Sequence, residues 1–183
     1  MTRATMLLLA AMALAGCSFG RSLPGIHYYT LAITDAPATR LDAPLRVGVI
    51  TSDQAYATER IAYRSSPYQL DYYSYHRWAA DPRNLVRTAA RDYFERAGAA
   101  NGIPFEVEGN IRRLEEVDDP TGWRGTLALD VRVARGGTII LERAFSETEP
   151  AASRRPEAVA AALSRALQRI LDQLLTEAAR AGR

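Results

Sequence analysis

The chain has 183 residues and is nearly neutral, with 23 basic residues, all of them arginine, against 21 acidic ones. This balance argues against a nucleic-acid binder, which normally needs a strongly basic surface. The absence of lysine excludes P-loop, Schiff-base and Ser–Lys chemistry, because each requires a lysine side chain.

The N-terminus has the pattern of a secretory signal. One charged residue, Arg3, precedes an apolar run over residues 6–14, and small residues stand directly before Cys17, the only cysteine. The run is too short for a membrane span, which needs roughly 20 residues. The segment resembles the lipobox of bacterial lipoproteins, so we expect residues 1–16 to be removed and Cys17 to carry the lipid. The alternative is an ordinary signal followed by a chance free cysteine, which is unusual in a secreted protein.

The residues after Cys17 predict where the domain lies. One acyl chain anchors a protein only marginally, so the lipidated terminus is expected to carry several. In the lipoprotein sorting pattern, aspartate directly after the lipidated cysteine favours retention in the inner membrane. This chain has Ser18 at that position, so we predict an outer-membrane anchor facing the periplasm. Residues 17–25 are interpreted as the lipidated N-terminus and a short linker, and residues 26–183 as one domain. Eight linker residues extend at most about 26 Å, so the domain is expected to work close to its membrane.

Four strands are predicted in the first half of the domain. They cover residues 26–33, 45–50, 60–64 and 68–75. In the second strand, Leu45, Val47 and Val49 are predicted to share one face, because strand side chains alternate. The third and fourth strands are predicted to form a hairpin around Ser65-Ser66-Pro67.

The rest of the domain is predicted to contain two helices and three more strands. Asp81 and Pro82 form a favourable start for a helix that extends to about residue 97. The strands are predicted over residues 105–112, 127–133 and 138–146, with turns at 119–122 and 136–137. A long helix from residue 153 or 156 to residue 180 follows, and its apolar stripe favours packing on the sheet over a coiled-coil seam. The order predicts an α+β fold, a mostly antiparallel sheet with two helices packed on one face.

The sequence contains no recognisable catalytic or metal-binding pattern. The motifs G-x-S-x-G, G-x-G-x-x-G and H-E-x-x-H are absent, so we expect no catalytic residue, cofactor or metal. His27 and His76 belong to different predicted elements and are interpreted as structural. The four acidic residues between positions 115 and 119 lack the spacing of an EF-hand loop, so we interpret them as a solvated turn.

Aromatic residues are concentrated in and around the predicted hairpin. Seven fall between positions 56 and 78: Tyr56, Tyr63, Tyr68, Tyr72, Tyr73, Tyr75 and Trp78. If Tyr72 faces the core, alternation directs Tyr73 and Tyr75 to the other side. Rings on both faces of a strand suit a protein interface, where Tyr and Trp supply large contact areas. The same rings could instead complete the core or cover an edge of the sheet.

Several short motifs follow one another along the chain: Tyr28-Tyr29-Thr30-Leu31, Leu45-x-Val47-x-Val49, Tyr56, Arg60-Ile61-x-Tyr63-Arg64, and Trp78-Ala79 ahead of Pro82. In this order they resemble the motifs of the ABC-type transport auxiliary lipoprotein family, which includes the paraquat-inducible protein C type. The resemblance covers nearly the whole chain, although Ala57-Thr58-Glu59 replaces a loop that often contains proline.

The resemblance implies a non-enzymatic component of a system that moves phospholipid between the inner and outer membranes. Its implied partners are an ABC transporter and an MCE-domain protein, and a homo-oligomeric ring that docks the end of an MCE tube is implied as well. We therefore expect a docking subunit whose aromatic cluster contacts neighbouring copies or the MCE partner. Two other hypotheses are a carrier that binds an acyl chain between sheet and helices, and an envelope hydrolase.

Overall fold

A computed structural model describes residues 24–182, so the expected leader and Cys17 lie outside the described residues. Seven strands form one sheet, and two helices pack on one of its faces. The predicted α+β class and the predicted order of strands and helices are therefore confirmed. The strands are β1 (His27–Tyr29), β2 (Leu45–Ser52), β3 (Arg60–Ser66), β4 (Gln69–Trp78), β5 (Phe105–Asp119), β6 (Gly122–Arg135) and β7 (Thr138–Pro150).

The sheet is mostly antiparallel and is organised around β5. The strand order is β1-β4-β3-β5-β6-β7, and β2 pairs with β5 as well. Along one edge, β5 pairs in parallel first with β2 and then with β3, while its other edge pairs with β6 over almost its whole length. β3–β4, β5–β6 and β6–β7 are antiparallel, and β1 adds to β4 in parallel. β5 therefore joins the two halves of the sheet.

A bulge in β5 changes which residues face the helices. Before the bulge, Ile111 pairs with Leu129, and both side chains are buried in the core. The register then shifts, so that Glu115 lies opposite Thr126 and Glu116 lies opposite Gly125. Because strand side chains alternate, the two neighbouring glutamates lie on opposite faces of the sheet.

The helices are α1 (Pro82–Glu95) and α2 (Pro156–Ala181). α1 begins as predicted, because the Asp81 carboxylate accepts a hydrogen bond from the Arg83 backbone N–H at 2.9 Å. α2 buries the predicted stripe against the sheet, which confirms packing on the sheet over a coiled-coil seam. The residues of that stripe are all buried: Val159, Leu163, Leu167, Ile170, Leu171, Leu174 and Ala178.

Two predicted strands differ in detail from the structure. β1 ends at Tyr29 because its partner β4 ends at Trp78, so residues 30–33 have no strand with which to pair. In β2 the register shifts between Val47 and Ile50. Val49 is consequently 62% exposed, while Ile50 packs against the core. The prediction that Val49 shares the buried face is wrong, because simple alternation cannot reveal a bulge.

The predicted turns between the last three strands are confirmed. β5 ends at Asp119 and β6 begins at Gly122, with the Asp119 carboxylate accepting from the Thr121 backbone N–H at 2.7 Å. Gly136 and Gly137 have φ values of 58° and 80°, as a two-residue type I′ hairpin requires. Within residues 24–182, no helix combines the length and apolarity that a membrane span needs.

Gly125 allows a close approach between the sheet and α2. A Cβ atom added at this position would lie 2.9 Å from both the backbone nitrogen and the Cγ of Leu163. We expect Gly125→Ala to lower the free energy of unfolding by about 1–3 kcal/mol, because the buried helix must move outward. Gly48→Ala is the matched control, since its new methyl would meet neighbours only at 3.5 Å. Urea unfolding of both variants checks this, and equal stabilities would contradict the close packing.

Candidate partner-binding surface

The structure divides the seven predicted aromatic residues by exposure. Trp78 and Tyr56 are buried, with 1% and 6% of their surface accessible, so a partner that leaves the fold intact cannot reach them. Tyr68 is 97% exposed and Tyr75 is 39% exposed. The other three rings are partly buried: Tyr63, Tyr72 and Tyr73. Direct contact with a partner remains a prediction. Tyr68 and Tyr75 are the two exposed rings that a partner can reach.

Tyr72 and Tyr73 lie on opposite faces of β4, as alternation requires. The Tyr72 hydroxyl donates to the Ala55 carbonyl at 2.9 Å, and the Tyr73 hydroxyl donates to Glu116 at 2.9 Å. Glu116 lies opposite Gly125, on the same face of the sheet. A Cβ atom added to Gly125 would contact Leu163 of α2, so this is the face that the helices cover. Tyr73 is therefore the ring that faces the helices, which reverses the conditional assignment of Tyr72 to that side.

Glu115 is fully buried on the face without helices. There its carboxylate contacts side chains from β3, from β5 and from the turn before β3. Its carboxylate accepts from Arg64 Nε at 3.1 Å, Arg113 Nε at 2.9 Å and the Tyr56 hydroxyl at 2.6 Å. Burial by itself would raise the pKa of Glu115, but hydrogen bonds from Arg64, Tyr56 and Arg113 outweigh burial and lower the pKa. Burial and the bond to Glu115 raise the pKa of Tyr56 to about 12. Glu115 is thus held as a buried carboxylate.

Glu116 is equally buried but lies in a different chemical environment. Burial, with a contribution from Asp118, raises the pKa of Glu116 to about 7, although the hydrogen bond from Tyr73 acts in the opposite direction. Burial and the neighbouring Glu116 carboxyl also raise the pKa of Tyr73. The interpretation of this acidic cluster as a solvated turn is therefore wrong for Glu115 and Glu116, because β5 continues through them.

An aromatic group extends from Tyr73 toward β1. The ring centroids of Tyr63 and Tyr73 are 4.8 Å apart. The rings of Tyr73 and His76 pack edge to face, with centroids 5.4 Å apart. His27 stacks on His76 at 5.4 Å, and the Tyr29 hydroxyl is 2.9 Å from His76 Nδ1. The two histidines meet because β1 pairs with β4, which a single sequence does not reveal. Across residues 24–182, no group of three or more His, Cys, Asp or Glu side chains is arranged to hold a metal ion.

The β3–β4 hairpin is attached to β5 through both of its faces. Arg64 contacts Glu115 on one face, and Tyr73 contacts Glu116 on the other. Arg64 also donates from Nη1 to the Pro67 carbonyl at 3.0 Å, which connects the buried carboxylate to the hairpin tip. Tyr68 follows Pro67 directly. The fold therefore presents an exposed tyrosine on a tip whose base is held in place, a geometry suited to an interface anchor.

Sequence reasoning did not identify the residues that support the hairpin. Arg64, Glu115 and Glu116 act through contacts across strands that are far apart in the sequence. One signal was available: Leu114 is a further apolar residue beyond Ile111, which indicates that β5 extends past residue 112. Reading the strand through the acidic residues would have placed both carboxyls within the sheet.

The adjacent glutamates should give opposite dependences of stability on pH. The folded-state pKa of Glu116 is raised to about 7 from 4.5, so its stabilising effect is present below about pH 4.5 and is lost as the pH rises through 7. Relative to the parent, Glu116→Gln should therefore gain on the order of 3 kcal/mol of unfolding free energy across this interval. Urea unfolding at a series of pH values measures the gain.

Glu115→Gln is the matched control for this experiment. The lowered folded-state pKa of Glu115 gives a stabilising effect that is present at neutral pH and is lost as the pH falls through that pKa. This variant should lose about 3 kcal/mol at pH 7, because Arg64 and Arg113 lose a buried partner. The same pH profile for both variants would contradict the different environments described above.

The fold is similar to those of solved structures. Protein XCC0632 from Xanthomonas campestris has a similar structure, with a TM-score of 0.72, 22% identity, and coverage of 86% of this chain and 96% of that one. CT253 from Chlamydia trachomatis is similar at a TM-score of 0.54 and 8% identity, covering 78% of this chain and 100% of its own. No curated protein matches the sequence significantly. Residues 29–174 match the family described as the ABC-type transport auxiliary lipoprotein component, and the chain belongs to this family.

Proposed function

We propose that the chain is a lipid-anchored docking subunit of an MCE/ABC-type system that transports phospholipid between membranes. The family assigns an auxiliary role beside an ABC transporter. The single observation that carries the docking role is Tyr68, which is 97% exposed on a hairpin held at both faces. In this proposal, lipidated Cys17 attaches the domain to the outer membrane, and the β3–β4 hairpin contacts the MCE partner or a neighbouring copy in a ring.

The packing of the core favours docking over carriage of a lipid between sheet and helices. The cavity between these layers has a volume of about 20 Å³ and is lined by side chains such as Val86, Phe94 and Leu174. A cavity of that size holds about one water molecule, whereas an acyl chain would need the layers to separate. An open groove of about 550 Å³ beside α2 is lined in part by Asp35, Glu157 and Arg165. This groove also has apolar residues such as Ala160, but it is open to solvent and does not enclose a hydrocarbon chain.

The position of the anchor is consistent with a role near the membrane. His27, the first residue of β1, is ten positions after Cys17. Fully extended, this stretch reaches about 33 Å. The domain would therefore stay within about one domain diameter of the membrane surface, where a docking surface meets a partner that spans the periplasm.

Replacing the exposed rings tests the docking role. We expect Tyr68→Ala combined with Tyr75→Ala to reduce recovery of the MCE partner, or of a second tagged copy, at least tenfold in a pull-down from membranes. Loss of a central aromatic contact commonly costs about 2 kcal/mol or more of binding energy. Tyr68→Ala alone should change the unfolding midpoint little, because the Tyr68 side chain is 97% exposed, and it should lower recovery by itself.

Ile139→Ser is the control for that pull-down. Ile139 is 52% exposed on β7, at the opposite edge of the sheet. Its replacement removes an exposed apolar side chain without touching the hairpin. Undiminished recovery with the tyrosine double variant, or an equal loss with Ile139→Ser, would contradict docking through the hairpin.

A further inference from the structure

Two arginines lie directly opposite each other on neighbouring antiparallel strands. They are Arg60 of β3 and Arg77 of β4. The Trp78 N–H donates to the Glu59 carbonyl at 2.6 Å, which makes Arg60–Arg77 a non-hydrogen-bonded pair. In such a pair the Cα atoms are about 4.5 Å apart, and the side chains are closer together than in a hydrogen-bonded pair. Like charges placed directly opposite destabilise a sheet, so the arrangement needs a compensating group.

The described part of the chain does not supply that group. Over residues 24–182, neither Arg60 nor Arg77 has a carboxylate oxygen within 4 Å, although fourteen other ion pairs form. The Nε atom of Arg77 is buried and lacks a hydrogen-bond partner among these residues. A buried unsatisfied donor is costly and is usually matched by an acceptor. An anion that bridges both guanidinium groups would satisfy the donor and offset the repulsion.

The pair lies on the face of the sheet without helices. Ile61 and Trp78, the next residues along the two strands, are buried in the core, so alternation directs Arg60 and Arg77 to the other face. Tyr28 of β1 is in register with Arg77 and is 61% exposed. The row Tyr28–Arg77–Arg60 therefore joins two guanidinium groups to an accessible ring, and it begins on the strand nearest the expected anchor.

We propose that Arg60 and Arg77 form a binding site for a phosphate group, with Tyr28 at its edge. Guanidinium forks match the tetrahedral oxygens of phosphate and bind them with paired hydrogen bonds. The group is assigned to a phospholipid headgroup, because β1 begins ten residues after Cys17 and thus close to the membrane. This assignment of the source rests on the proposed lipid anchor, whereas the phosphate site rests on the arginine pair.

Nuclear magnetic resonance of the arginine Nε–Hε groups tests the site directly. The mature lipidated chain, labelled with ¹⁵N and purified in an uncharged, phosphate-free detergent, is titrated with dihexanoyl phosphatidylglycerol, inorganic phosphate or acetate. We expect a saturable shift of the Arg77 Nε–Hε signal with the phospholipid, and a weaker response or none with acetate. Arg60→Gln, which keeps Arg77 and its signal, should weaken binding at least tenfold. Arg87→Gln is the control, because Arg87 is exposed on α1 and removing it also removes one positive charge.

Each outcome decides one part of the proposal. No saturable shift with either phosphate compound would overturn the site, and an equal response to acetate would reduce it to general attraction of anions. A response to inorganic phosphate without one to the phospholipid would overturn the headgroup assignment. The titration contains no partner protein, and Tyr68→Ala, at the far end of the hairpin from the arginine pair, should leave the Arg77 shift unchanged, so failure of this site and failure of the docking role are distinguishable.

Discussion

The position of the β3–β4 hairpin depends on the burial of two adjacent carboxyl groups in β5. Glu115 is stabilised on one face of the sheet by Arg64, Arg113 and Tyr56, and Glu116 contacts Tyr73 on the other face. Burying a carboxyl is costly unless it is paired or takes up a proton. Glu115 is paired with two arginines, whereas burial raises the pKa of Glu116 and so favours its protonated form. Because Arg64, Tyr73 and Tyr56 come from β3, β4 and the turn before β3, their contacts also fix the position of the hairpin relative to β5.

This arrangement connects a requirement of folding to the proposed role in docking. Tyr68 makes almost no contact within the domain, so its position is set by the residues at the base of the hairpin. Arg64 reaches from the buried Glu115 to the Pro67 carbonyl beside it. A tip held in this way loses less conformational entropy when it binds than a mobile loop would. The proposed anchor at Cys17 would add a second restraint by keeping the domain near its membrane.

Local patterns in the sequence predicted the elements, but contacts between distant elements decided the details. The Asp81 cap, the stripe of α2 and the Gly136-Gly137 turn each depend on nearby residues, and the structure confirms them. The bulges in β2 and β5 depend on pairing between strands, so alternation alone assigned Val49 to the wrong environment and missed the burial of Glu115. The stack of His27 on His76 requires the pairing of β1 with β4.

Crosslinking in intact cells gives the most direct test of docking through the hairpin. A photo-reactive phenylalanine derivative replaces Tyr68 in the full lipidated chain, and the same derivative replaces Ile139 at the far edge of the sheet as the control. On illumination, the account predicts an adduct from position 68 to the MCE partner or to a second copy of the chain, and none from position 139. Adducts from position 139 alone, with none from position 68, would contradict it.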